Sequence, residues 1–162
     1  MSDGVTIHVI EDTHTFDSDD GRRIWCGGYA PTDKDGFFLP ESEHRTTDRH
    51  AFYCHVAGVS FRASALEDKR FVHSSPVKLI AEPDNPHDPN AVGVWDARGD
   101  IQLGYIPATL SAEVARLMRG GTTLVGQVIR EFRLGSARGK RLGIHIIVFP
   151  AGAIKYVVKD DD

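Results

Sequence analysis

The sequence predicts a mainly β domain with two short helices, an α+β chain whose core is a small barrel of about six strands. Short apolar segments recur along residues 52–150, each bounded by clusters of Gly, Pro, Asp and Asn, which is the punctuation of strands joined by tight turns. Glycines inside those segments, such as Gly58, mark the bends a small barrel needs. Only one run, Ala108 to Arg119, carries sustained helical spacing, with Leu110, Val114, Leu117 and Met118 on one face and Gly120-Gly121 to stop it.

Taken in order, Val5, Ile7 and Val9 alternate with Thr6 and His8 and predict a strand over residues 5–10. The cluster Asp17-Ser18-Asp19-Asp20-Gly21 predicts a turn, and Arg22 to Tyr29 a returning hairpin partner. Residues 30–50 shift to Pro, Asp, Lys, Glu and Thr and predict a linker or ordered loop, with Phe37-Phe38-Leu39 as its one apolar anchor. Phe52 to Arg62 is expected as the first strand of the main domain. Ser64-Ala65-Leu66-Glu67 fits a capping box that opens a short helix ending by His73. Val77 to Ala81 predicts a strand. Val92–Trp95 and Ile101–Ile106 then form a hairpin across Asp96–Asp100. Thr122–Leu134 and Arg141–Phe149 form another across Gly135–Lys140. The expected division is an acidic extension over 1–51, a barrel over 52–150 and a tail over 151–162 that ends in three solvated aspartates.

Composition sets the class. With 41% apolar and 26% charged residues in 162, the chain suits one soluble globular domain with an extension. No apolar run approaches the roughly eighteen residues of a membrane helix, and no signal peptide is visible at the N-terminus. Two cysteines, Cys26 and Cys54, make no disulfide framework, so a reducing, cytoplasmic setting is expected. The net charge of −4 is unevenly spread: −6 over residues 1–51, +3 over 52–150 and −1 over 151–162. The basic middle can meet a polyanion locally, and the acidic extension could lie over it and compete.

The chemistry concentrates between Ala81 and Pro107. The loop Glu82-Pro83-Asp84-Asn85-Pro86-His87-Asp88-Pro89-Asn90, set between strands, is where a binding site is most often held. Its Glu82 and Asn85 suit loop formation, because their side chains can bond the backbone of a proline-interrupted turn. Two metal readings are weak. Asp84, Asn85, Asp88 and Asn90 loosely resemble a calcium loop, but prolines interrupt it and no Glu closes it. Cys26, His44, His50, Cys54 and His55 include no paired zinc spacing. No Walker loop, dinucleotide fingerprint or G-x-S-x-G is present, and no cofactor is implied. Asp84, His87 and Asp88 alone lack the further ligands of a metal nuclease.

Val56-Ala57-Gly58-Val59, Val77-Lys78-Leu79, the E-P-x-N-P-x-D-x-N-A stretch from Glu82 to Ala91, and Gly104-Tyr105-Ile106-Pro107 together resemble the HIRAN domain family. The resemblance covers about residues 52–149, and two blocks in the right order and spacing are far more specific than one. It implies an OB-like six-stranded barrel that binds single-stranded DNA without catalysis, prefers free 3′-hydroxyl ends, and serves DNA repair or processing beside a helicase or nuclease. On that resemblance Asp88 accepts the terminal hydroxyl. His87 and Phe61 stack on bases, and Arg62 reaches a phosphate. Family members carry a basic residue directly before the aromatic, where this chain has Ser60. The last hairpin differs in length from the family's and does not align with it residue by residue; it is basic in its own right, with Arg130, Arg133, Arg138, Lys140 and Arg141, of which the last four form the expected backbone-tracking set. Each feature also has a plainer reading: a rigid loop whose carboxylates cap turns, a core phenylalanine, a solvated hairpin tip. The alternatives to DNA binding are a protein-interaction module and, third, a divalent-metal nuclease.

Overall fold

The computed structural model describes residues 5–33, 35, 37–38, 51–152 and 154–159. Strands β1 (Val5–Glu11), β2 (His14–Asp17) and β3 (Arg23–Thr32) precede the expected domain. Then come β4 (Phe52–His55), α1 (Ala63–Leu66), β5 (Pro76–Ala81), β6 (Val92–Asp96), β7 (Gln102–Tyr105), α2 (Ala108–Arg119), β8 (Leu124–Leu134), β9 (Arg141–Pro150) and β10 (Ile154–Lys159).

The mainly β reading with two short helices holds, but the sheet is not closed into a barrel. Its main path runs β10-β1-β3-β8-β5-β6-β7, with β9 and β4 branching from β8 and β2 from β3. The edges formed by β4 and β7 meet only at one isolated bridge, Ala57 to Tyr105. Its two hydrogen bonds, Ala57 N–H to the Tyr105 carbonyl at 2.7 Å and Tyr105 N–H back at 2.9 Å, replace a ladder. Gly104 makes the approach possible, since a Cβ there would lie 2.3 Å from the Ala57 carbonyl oxygen. That is closer than any side chain tolerates.

The first strand is much shorter than its apolar run suggests. Pairing with β9 stops at His55, and Gly58 takes φ +78° and opens a 3-10 turn over Val59–Phe61. The left-handed glycine turns the chain out of the sheet, so alternation along Phe52–Arg62 does not hold. The Ser64–Glu67 capping box does not form either. Arg62 occupies the N-cap position of α1 and Glu67 its C-cap. The prediction for α2 matches its observed ends, with Leu110, Val114, Ala115 and Leu117 buried and the Gly120 N–H bonded to Arg116 O at 3.0 Å.

Both faces of the central strands are buried. Phe52 and Cys54 of β4 join Val128 of β8, Ile146 and Val148 of β9 and the α2 residues in the larger core. Tyr53, Ile129 and Ile147 point the other way and pack with Ile7 and Val9 of β1 and with Ala51. A sheet with two apolar faces needs two covers, and β1 contributes to the second. Residues 5–32 thus form the hairpin partners that alternation predicts, joining β8 through β3. At the other end the expected tail contains β10, which pairs in parallel with β1 from Val5↔Ile154 to Ile10↔Lys159. Phe37 and Phe38 are exposed, with Phe38 bridged to Thr32. Leu39 and the terminal aspartates lie outside the described residues.

Gly104→Ala is expected to cost about 1–3 kcal/mol through forced overpacking. In urea denaturation its midpoint should fall. In hydrogen exchange the Ala57 and Tyr105 amides should lose protection before the β8–β9 ladder does.

Candidate nucleic-acid interface

Three prolines deprive the loop between β5 and β6 of three N–H donors, and side chains supply the bonds that organise it. Glu82 Oε1 accepts from Asn85 Nδ2 at 3.0 Å and from the Tyr105 hydroxyl at 3.1 Å. Asn85 Oδ1 in turn accepts the N–H groups of His87 (2.8 Å) and Asp88 (3.1 Å). Asp88 Oδ1 accepts the Asn90 N–H at 2.8 Å, while its Oδ2 accepts from Ser111 Oγ on α2 at 3.1 Å. Arg119 Nη1, at the end of α2, donates to Asn90 Oδ1 at 3.2 Å. The loop is therefore clamped from below by β7 and from the side by α2. Glu82 and Asn85 are loop-formers, as their residue types suggest.

A concave pocket of about 320 Å³ opens beside this loop, lined by Ala57, Asn85, His87, Asp88, Tyr105 and Ile106 among others. The His87 side chain is exposed at its rim. Arg62 lies with its guanidinium carbon 6.0 Å from the centre of the Tyr105 ring, a cation–π distance. Next to Arg62, Phe61 projects into solvent with 90% of its surface exposed. A core role for Phe61 is ruled out by that exposure. Because Phe61 and Arg62 sit on a 3-10 turn and its cap, they do not alternate across a sheet, and Arg62 lies over the ring of Tyr105, a residue that lines the pocket.

This loop, pocket and turn fall within one matched stretch: residues 50–148 fit the family model of the HIRAN domain. The chain belongs to the HIRAN domain family. Its HIRAN domain is similar in fold to the crystal structure of the HIRAN domain of human HLTF, at 21% identity over 63% of this chain and 77% of that one, with a TM-score of 0.45. A crystal structure of a protein from Lactobacillus plantarum is similar at 24% identity over 59% and 89%, with a TM-score of 0.46. The NMR structure of the HLTF HIRAN domain follows at 23% identity over 62% and 75%, with a TM-score of 0.43. No curated protein matches the chain.

The basic hairpin of the HIRAN domain divides in two. Arg141 is only 3% exposed and lies in the interior rather than on a ligand-facing surface. Its Nη1 donates to the carbonyls of Leu66 (3.0 Å) and Phe71 (3.4 Å), and its Nη2 to Glu131 Oε2. Arg133 is drawn into the same cluster, bonding Glu131 Oε1 and, at 2.9 Å, the Gly139 carbonyl. These two arginines tie α1 and the turn after it to the β8–β9 hairpin, and the burial of Arg141 takes it out of the backbone-tracking set expected from the sequence. Arg138 and Lys140 are exposed at the tip, as expected, but line a different region from the pocket.

Tyr105, Ser111, Arg119 and Ala57 were not singled out from the sequence as parts of the site. Ala57 and Tyr105 lie in the family blocks, but their partners, like those of Ser111 and Arg119, are distant in the chain, so a pairing signal between distant positions would have been needed to place them in the site. Among the described residues no three of His, Cys, Asp and Glu converge as metal ligands. In the loop, Asn85 Oδ1 and Asp88 Oδ1 are turned to backbone N–H groups instead. Cys26 and Cys54 are buried, and burial pushes the Cys26 thiol up. His44 and His50 lie outside the described residues. No described residue of the acidic extension lines the loop pocket; its Asp12, Asp17 and Asp20 pair with Arg130, Arg23 and Arg22.

Burial works to raise the Glu131 carboxyl, but the Arg133 hydrogen bond and the charges of Arg141 and Arg133 outweigh it and hold it below its ordinary value. A depressed carboxyl contributes stability above its unfolded pKa of about 4.3, and that stability is lost as pH falls through the folded value. Glu131→Gln should therefore cost about 3–5 kcal/mol at pH 7 by leaving Arg141 buried and unpaired. Its denaturation midpoint should also fall less steeply below pH 4.3 than that of the parent, as measured by urea titration across pH.

Proposed function

We propose that this HIRAN domain is a non-catalytic module that binds single-stranded DNA and prefers ends with a free 3′ hydroxyl, in DNA repair or processing beside a helicase or nuclease. The observation that carries this reading is the clustering of His87, Asp88 and Tyr105 around one pocket, with Arg62 over the Tyr105 ring and the exposed Phe61 next to Arg62 in the chain. A terminal nucleotide offers a base face, a phosphate and a hydroxyl. Phe61 and His87 supply stacking surfaces, where base–aromatic contacts are worth about 1–3 kcal/mol each. Arg62 supplies the cation for a phosphate, from the far side of the aromatic relative to Ser60. Arg138 and Lys140 give the hairpin tip its positive charge for the backbone beyond.

Asp88 supplies the selection. Ser111 and the Asn90 amide hold its carboxylate in place, and each oxygen keeps a second lone pair for a hydroxyl donor. A 3′ phosphate brought to the same place meets a like charge and is rejected. An internal nucleotide offers no hydroxyl there.

The test is fluorescence polarisation with labelled oligonucleotides ending in a 3′ hydroxyl or a 3′ phosphate, over a salt series. Tighter binding of the hydroxyl end is expected, with affinity falling as salt rises. Phe61→Ala should weaken both ends alike, by about 1–3 kcal/mol. Asp88→Asn keeps an oxygen for the Asn90 amide and should shrink the preference more than the total affinity. Equal affinity for the two ends would overturn end selection. No salt-dependent binding at all would overturn DNA binding and leave a protein partner for the same face.

A further inference from the structure

A second pocket, away from the loop, lies where the acidic extension meets the HIRAN domain. It holds about 200 Å³ and is lined by Glu11, Trp25, Gly27, Tyr29, His73 and Glu131, among others. We propose that it binds an alkylammonium cation, seated against Trp25 and Tyr29 and neutralised by Glu11.

The sheet register brings these groups together. Tyr29 of β3 stands opposite Glu11 of β1, and Gly27 of β3 opposite Glu131 of β8, and side chains opposed in an antiparallel pair share a face. Gly27 makes room for the ring: a Cβ there would fall 2.2 Å from Cη2 of Trp25, so the indole folded over the glycine would have to move. Tyr29 is fixed edge-on by His73, with ring centroids 5.9 Å apart at 67°. Two aromatic side chains are thus held beside a carboxylate at the mouth of a small cavity.

The charges select the sign of the ligand. Glu131 is already matched by Arg133 and Arg141. The Arg133 guanidinium, on the residue opposite Trp25, is committed to Glu131, to the Gly139 carbonyl and, at 3.8 Å, to Glu67. Glu11 is exposed and has no ion pair among the described residues, so it leaves the pocket negative. Carboxylates in the lining disfavour a phosphate, and a neutral apolar ligand would desolvate them without compensation. An ammonium bearing methyl or methylene groups satisfies both parts of the lining, since aromatic faces attract such cations and shed water from their apolar shell. The volume is below the roughly 300 Å³ at which drug-sized sites begin, which suits a head group. Of the eight lining residues only His73 and Glu131 lie inside the span matched by the family model, so this site belongs to the arrangement of this chain.

The test is a ¹H–¹⁵N NMR titration of the full chain with tetramethylammonium chloride, against sodium chloride at matched ionic strength. Saturable shifts confined to the amides around Gly27, Gly28, Tyr29 and Glu131 are expected. Trp25→Leu should abolish them, Glu11→Gln should weaken binding roughly two- to fivefold, and Asp19→Asn should leave it unchanged. Parallel titrations with spermidine and with a blocked lysine separate a free polyamine from a protein side chain as the source of the ammonium, and saturation by either supports the site. Shifts that match the sodium chloride control, or that persist undiminished in Glu11→Gln, would overturn it. Should Trp25→Leu fail to fold, the surface change at Glu11 decides alone.

Discussion

Two hydrogen bonds between Ala57 and Tyr105 determine how the loop pocket is built. They join β7 to the chain just beyond β4 at a single point and set Ala57 and the Tyr105 ring as neighbouring walls. The Tyr105 hydroxyl then reaches Glu82, Glu82 holds Asn85, and Asn85 holds the amides of His87 and Asp88. A displacement at Gly104 would therefore pass along a chain of three side chains to the backbone of His87 and Asp88. Binding groups on a loop are useful only when a rigid scaffold fixes them, and here the rigidity comes from this bridge rather than from a closed barrel.

The second constraint is that the central strands are apolar on both faces. In β4 the consecutive residues Phe52, Tyr53 and Cys54 are all buried, alternately into two cores. The smaller core brings Ile7 and Val9 of β1 against Tyr53, Ile129 and Ile147. That is a packing reason for residues before the matched domain to belong to the same sheet, and it leaves the loop pocket on the other side untouched. The cation pocket arises at this junction because β3 must pass close to β8: Gly28 has φ +113°, and a Cβ there would lie 2.3 Å from the Ile129 carbonyl.

Much of the fold was legible because its signals are local. Helix α2 announced both ends through its periodicity and its glycines, and the β6–β7 turn announced itself through Asp96, whose carboxylate caps the Asp100 and Ile101 amides at 2.7 and 2.8 Å. The family blocks led to the loop and, within it, to His87 and Asp88, which do line one pocket. Phe52–Arg62 misled because an apolar run does not reveal a left-handed glycine: Gly58 could have been a bulge that continued the strand, and instead ended it. Ser64–Glu67 matched a capping box in spacing alone, while the chain entered the helix two residues earlier.

Residue types and spacing by themselves determined the mainly β class and the position of the proline-interrupted loop, because turns, periodicity and proline restriction act over a few positions. Tertiary structure decided which side chains remain available to a ligand. Arg141 and Arg133 read as surface cations until β8, β9 and α1 come together, when burial without partners would be so costly that Glu131 and three backbone carbonyls must enclose them. Phe61 read equally as core or as surface until Gly58 turned it outward. Whether a charge or an aromatic ring meets solvent is a property of what packs over it, and those contacts come from strands far apart in the chain.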